Sequence, residues 1–298
     1  MMLRGEPRLG PMAALRALLV AFLLAAVTLW PSQPAADEPT GIAVSILPMK
    51  YFVERVGGER VRVMVVVGPG QSPATYEPTP RQIAELAQAR AYFRIGVPFE
   101  NAWMPRMAAV NASMCVVDLR EDIRLRPLDS ANNGRGTGND PHVWTSPPLV
   151  KQMSARIRDT LADLMPQHAA EFAMNQKRFA ADLEALDAEI RSTLADRKER
   201  RFLVFHPAWS YFADAYGLQE IPIEAGGKEP GPQTMARVID YARREDIRVV
   251  FVQKQFSQNE AQAVAKAIGG EVVTLDPLAE DFLSNTRAAA AAFARALK

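Results

Sequence analysis

The chain of 298 residues carries 48% apolar and 23% charged side chains, an ordinary globular composition with enough length for two domains. Its 35 Lys and Arg balance 34 Asp and Glu to a formal charge of +1, which leaves no basic excess to recruit nucleic acid or an anionic membrane surface. A single cysteine excludes any disulfide within the chain.

Residues 1–36 read as a secretory signal peptide. Arg4, Arg8 and Arg16 precede the apolar run Ala17 to Trp30, and Pro34-Ala35-Ala36 offers small residues for cleavage near Ala36. The apolar run is about fourteen residues long, short of the ~20 that a membrane span requires. The expected mature chain is exported and soluble. No cysteine stands near the cut, so a lipid on an N-terminal cysteine is excluded.

From residue 41 strand and helix patterns alternate. Ile42 to Leu47 predicts a buried strand, followed by a helix over Met49 to Val56 that Gly57-Gly58 closes. Val61 to Val67 has five valines in seven residues, the pattern of a parallel strand covered on both faces. Gly68 to Pro73 is rich in turn formers. Thr79-Pro80 then opens a helix through Ala89, with threonine as N-cap and proline at the first helical position. Strands over Tyr92 to Ile95 and Met114 to Leu119 flank a short helix near Trp103 to Val110. Cys115, inside the last strand, is expected to be a buried small hydrophobe. These elements make one α/β lobe over 37–147.

Residues 130–139, Ser-Ala-Asn-Asn-Gly-Arg-Gly-Thr-Gly-Asn, have no apolar periodicity and predict an exposed loop. Two helices follow over Pro148 to Leu164 and His168 to Asp196, within a linker spanning 148–200. The second is highly charged, with Phe172, Phe179, Leu183, Leu186 and Ile190 at helical spacing. At ~1.5 Å per residue it is about 40 Å long, enough to join two lobes. A second βα series fills 201–298, with strands over Phe202 to Phe205, Leu218 to Ile223, Val249 to Gln253 and Glu271 to Leu275. Helices over Trp209 to Tyr216, Gln233 to Arg243, Gln258 to Ile268 and Asp281 to Leu297 alternate with them. The predicted fold class is therefore α/β: two lobes, each a mainly parallel sheet flanked by helices, joined by a long rigid helix.

Three polar positions stand out. His142 lies in Asp140-Pro141-His142-Val143-Trp144, His206 in Phe205-His206-Pro207-Ala208-Trp209, and Asp276 in Leu275-Asp276-Pro277-Leu278. Each follows or adjoins a short β-like segment with proline beside it, and open parallel sheets bind ligands beyond the carboxyl ends of their strands. They are expected to converge on one metal ion. Separations of this size carry no local ligand spacing, and a histidine or Asp-Pro after a strand is commonly structural. Trp144 and Trp209 read as packing around the cleft, and His168, leading into the long helix, has no assigned role.

These motifs, together with residues 69–80 (Pro-Gly-Gln-Ser-Pro-Ala-Thr-Tyr-Glu-Pro-Thr-Pro) and Glu224-Ala225-Gly226-Gly227-Lys228-Glu229-Pro230, resemble the periplasmic zinc/manganese-binding proteins of ABC importers (the zinc-type cluster A-I solute-binding proteins). The resemblance covers nearly everything after the signal peptide, in order. It implies two lobes joined by a rigid helix with the metal between them, a periplasmic location, and delivery of the metal to a permease in the inner membrane. The chain departs from the pattern at Ala74, where such proteins usually carry histidine. His142, His206 and Asp276 then remain as ligands, with a fourth position left to water, Glu77, Glu224 or another oxygen. The histidine-rich loop of many zinc members is also absent.

Two imidazoles and a carboxylate suit Zn²⁺ at ~2.0–2.2 Å, and Mn²⁺ less. The expected protein is a monomeric carrier of zinc and no enzyme. A zinc-dependent hydrolase is the alternative, since three protein ligands and an open water position also describe catalytic zinc, with Glu77 or Glu224 as general base.

Overall fold

The computed structural model describes residues 38–128, 138–224 and 231–297. The signal peptide, most of the loop predicted over 130–139, and residues 225–230 lie outside the described residues. The first lobe runs β1 (Thr40–Ile46), α1 (Leu47–Gly57), β2 (Val61–Val67), α2 (Pro80–Leu86), β3 (Ala91–Arg94), α3 (Pro98–Val110) and β4 (Cys115–Asp118). Its strands pair in parallel in the order β2-β1-β3-β4. The second lobe repeats the plan with β5 (Arg201–Val204), α6 (Ser210–Tyr216), β6 (Gln219–Pro222), α7 (Pro232–Arg244), β7 (Val249–Val252), α8 (Gln258–Ile268), β8 (Glu271–Thr274) and α9 (Phe282–Ala296). Its order, β6-β5-β7-β8, is the same and again all parallel. Between the lobes come α4 (Pro147–Leu164) and α5 (Ala169–Leu194).

The shared strand order matters for function. In each sheet the chain steps outward in one direction and then in the other, so a crevice opens beyond the strand ends at β1/β3 and at β5/β7. The central strands are apolar on both faces: Val249 to Val252 are all buried, as are Ile42 to Ile46. Helix starts follow local chemistry. Proline occupies the first turn of α1, α3, α4 and α7, where its missing N–H has no intrahelical acceptor to lose. Thr79 caps α2, its side chain accepting from Gln82 N in a reciprocal capping box.

Helix α5 has 26 residues and is thus about 39 Å long. Its stripe Phe172, Phe179, Leu183, Leu186, Ile190 and Leu194 is buried throughout, and each such side chain contributes roughly 1.5–3 kcal/mol of transfer free energy. The helix packs on α1 of the first lobe and on α6 and α9 of the second. Arg55 of α1 reaches Asp182 and Arg287 of α9 reaches Glu189, at 2.5 and 2.8 Å. Those surface pairs are worth little individually; the apolar stripe makes the helix a spine.

Three expectations need correction. Val61 to Val67 is a parallel strand but sits at the sheet edge, with Val63, Met64 and Val65 half-buried, because only β1 flanks it. Cys115 is exposed, since β4 is the opposite edge strand and its first two residues, which point to opposite faces, are both exposed. Helix α2 stops at Leu86, three residues short of Ala89, where Gln88 N–H turns back to Glu85 O. Among the described residues no helix is long and apolar enough to cross a membrane.

Candidate metal centre

Residues beyond the strand ends build a cleft of about 440 Å³ with His142 and His206 both in its wall. His206 lies two residues beyond the end of β5, at the second lobe's switch point. Its carbonyl accepts from Gln253 Nε2 (2.9 Å), and Gln253 follows β7. The imidazole stacks on Phe256 at 4.6 Å and 16°. Behind it lies Glu224, only 5% exposed, whose Oε2 is 2.7 Å from His206 Nδ1. A carboxylate can only accept there, so Nδ1 carries the proton and Nε2 keeps the lone pair.

His142 is held the same way. Asp140 and His142 form an Asx-type turn in which Asp140 Oδ1 accepts from His142 N–H (2.9 Å) and from Nδ1–H (2.7 Å). Asp140 is 4% exposed. Burial alone would raise its carboxyl, but His142 and the hydrogen bonds from His142 and Ser210 hold it below the usual carboxylate range. Burial pushes the His206 imidazole below its ordinary value, and the Glu224 bond offsets only part of that. The two rings stand 5.4 Å apart, edge to face.

The two lobes are tied together beside these rings. Ser210 Oγ donates to Asp140 Oδ2, Tyr211 O–H donates to the Asp140 carbonyl (3.0 Å), and Arg126 N–H donates to Tyr211 Oη (2.9 Å). Trp144, buried against His142 at 5.0 Å between ring centres, donates Nε1–H to Pro277 O (2.8 Å). Trp144 therefore lines the cleft and bridges the lobes. Trp209 packs instead on Phe212 and Phe293 in the core.

Asp276 follows β8, and its neighbours Pro277 and Leu278 line the cleft. Its own carboxylate is engaged elsewhere: Oδ1 accepts from Leu278 N–H (3.0 Å), and Oδ2 is 3.6 Å from Lys254 Nζ. Among the described residues no three His, Cys, Asp or Glu side chains stand close enough to hold a metal together. The structure brings the two histidines together and leaves Asp276 paired with a lysine. Glu77 is exposed in the loop before α2, whereas Ala74 of that loop lines the cleft. Glu224 lies behind His206. His168 is far along the chain, in the turn before α5, with Nδ1 3.8 Å from Glu171.

Sequence reasoning gave Asp140, Ser210, Phe256, Arg120 and Lys254 no part in the site. Only Asp140 left a signal, since an aspartate two residues before a candidate ligand can fold back onto it. The donor set suits a small transition-metal ion. Two imidazoles anchored at Nδ1 by buried carboxylates present their Nε2 atoms at fixed orientation, the arrangement that metal-binding histidines usually show.

Comparison with known proteins finds relatives over most of the chain. A crystal structure of a ZnuA deletion mutant with zinc bound is 41% identical in sequence, with a TM-score of 0.83, over 87% of this chain and 98% of that one. A Chlamydia muridarum protein that carries a provisional metal-binding name is 32% identical over 258 residues, covering 85% of this chain and 90% of that protein. The manganese-binding lipoprotein MntA of Halalkalibacterium halodurans is 29% identical over 245 residues, 80% of each chain. The model of the ZnuA family, described as zinc-uptake complex component A, periplasmic, matches residues 42–296, and the chain belongs to that family.

Proposed function

We propose that this chain captures zinc in the periplasm, through His142, His206 and Asp276, and hands it to an ABC permease of the inner membrane. The observation that carries the reading is the pair of imidazoles 5.4 Å apart in one cleft, each fixed at Nδ1 by a buried carboxylate. Zinc enters as cargo. It draws Asp276 away from Lys254, and the lobes, 37–147 and 201–298, are held in register by the 148–200 linker. Imidazole donors favour zinc over manganese, a harder ion that prefers oxygen. The ZnuA structure that carries zinc supports zinc, and the MntA relative keeps manganese as the competing cargo.

The carrier acts as a monomer and not as an enzyme. A hydrolase would need a general base beside the metal-bound water. Glu224 is occupied in holding His206, and Glu77 stands exposed on its loop.

Titration calorimetry of the mature chain with zinc and with manganese tests this reading. One zinc per chain, bound more tightly than manganese, is expected. Affinity should fall at acidic pH, because neutral imidazole is the ligand. His206, whose pKa lies below that of free histidine, should stay competent to more acidic pH. Tighter manganese than zinc would overturn the cargo assignment, and no binding of either would overturn the function.

Lys254 is 68% exposed and competes with the cargo for Asp276. Replacing it by methionine removes the competitor, and a partly exposed ion pair of this kind is worth up to ~1 kcal/mol, so zinc affinity should rise roughly two- to fivefold. A competition titration showing no rise would mean that Lys254 leaves Asp276 free in solution.

A further inference from the structure

One cleft residue has no place in cation capture. Arg120 lines the same cleft as His142 and His206, although a guanidinium repels a divalent ion. Its position is built. Asp118 takes two of its arms, Oδ1 from Nε (2.9 Å) and Oδ2 from Nη2 (2.7 Å), and accepts from the Arg120 backbone N–H as well (3.0 Å). The third arm, Nη1, lies over Gly96, another residue of the cleft wall. A Cβ at Gly96 would fall on that nitrogen, and φ of +81° also favours glycine there. No acceptor among the described residues takes the Nη1 protons, and the side chain is 15% exposed.

The donor count points the same way. His142, His206 and Asp276 supply three ligands where a closed zinc site has four. The wall contributed by Ser72, Pro73 and Ala74 carries no imidazole or carboxylate, and the Ser72 hydroxyl accepts from Ala74 N–H. The volume of 440 Å³ is far more than an ion and one water need, and it falls within the ~300–1,000 Å³ of small-molecule pockets.

We infer that the cleft takes zinc together with a small carboxylate, one oxygen completing the metal's coordination and the carboxylate facing Arg120 Nη1. This rests on the zinc-binding reading above. Asp118 fixes the guanidinium plane and leaves one arm for the anion, the use for which arginine is better suited than lysine. The ligand set is then nearly neutral: one divalent ion, the Asp276 carboxylate and the exogenous carboxylate. No covalent bond is made or broken.

Acetate serves as the probe, because it is a simple monocarboxylate. Zinc affinity of the mature chain is measured by calorimetry in a non-coordinating buffer with and without acetate, and cobalt(II) visible spectra report whether acetate enters the coordination sphere. Acetate is expected to tighten zinc about tenfold, the worth of one charge-assisted hydrogen bond, and to shift the cobalt spectrum. The quantity compared among variants is this acetate-induced gain. Arg120→Gln should lose it. Ala74→His, which leaves the Arg120–Asp118 pair untouched, should lose it too, because an imidazole then fills the fourth position. Wild-type zinc binding that is indifferent to acetate overturns the inference and leaves the zinc reading standing. A gain that survives in Arg120→Gln removes Arg120 from the subsite. Absence of zinc binding with and without acetate overturns the metal-binding reading itself, and this inference with it.

Discussion

His206→Ala is expected to abolish stoichiometric zinc binding and leave a folded protein. A four-ligand zinc site is worth ~10–16 kcal/mol, so one ligand accounts for about 2.5–4 kcal/mol, or roughly 70- to 900-fold in affinity. His206 is the sharpest test of the site, because three neighbouring side chains hold it in place. Glu224 is buried to hold its Nδ1, Gln253 holds its carbonyl, and Phe256 stacks on its ring. The substitution leaves the Glu224 carboxylate without its partner, which costs about 1–3 kcal/mol, and a lowered but cooperative melting transition should follow. His168→Ala is the control. It removes a histidine remote from the cleft and should leave zinc affinity unchanged. Tight, one-to-one zinc binding by His206→Ala in calorimetry would take His206 out of the site.

Much of the architecture was legible because it depends on neighbours close in sequence. The βα alternation, the valine run of β2, the Thr79 cap and the stripe of α5 follow from local periodicity and turn chemistry, and the bounds fall within three residues of the observed ones except at α3, which starts at Pro98 and not near Trp103. His206 and Asp276 could be placed after strands for the same reason. What was hidden depends on residues far apart in the chain. The exposure of Cys115 and the half-burial of β2 follow from sheet order, and a strand's sequence does not reveal whether it is central or at an edge. Lys254 reaches Asp276 across 22 positions of chain, and Ser210 reaches Asp140 across 70. Nothing in the sequence around Arg120 marks it out, and its place in the cleft wall depends on Gly96 and Asp118. The pairing of each histidine with a buried carboxylate was half visible. Asp140 is two residues from His142, whereas Glu224 is 18 from His206.

Asp140→Ala is expected to weaken zinc binding by about 10- to 100-fold, the usual effect of losing the partner that orients a metal ligand, and to lower stability by about 3–5 kcal/mol, the cost of breaking a buried charged network. The two losses share one cause. Asp140 accepts from His142 N–H, His142 Nδ1–H and Ser210 Oγ–H, so the group that orients a first-lobe histidine also fastens the first lobe to α6 of the second. Its folded pKa lies below the ordinary value despite burial. The stability contributed by the charge is therefore present above the unfolded-state value of ~3.9 and is lost only as pH falls through the lower folded value, so it is complete at neutral pH. Asp140→Asn separates shape from charge. Its amide oxygen can still accept from His142 while its NH₂ donates to Ser210 Oγ, which turns to accept. Zinc affinity should then rank wild type above Asp140→Asn above Asp140→Ala, and so should thermal stability at pH 7. Zinc bound as tightly by Asp140→Ala as by wild type would mean that His142 needs no orienting partner. An unchanged melting temperature in that variant would mean that the Asp140–Ser210 link does not hold the lobes together, and the Trp144–Pro277 hydrogen bond would be the next link to cut.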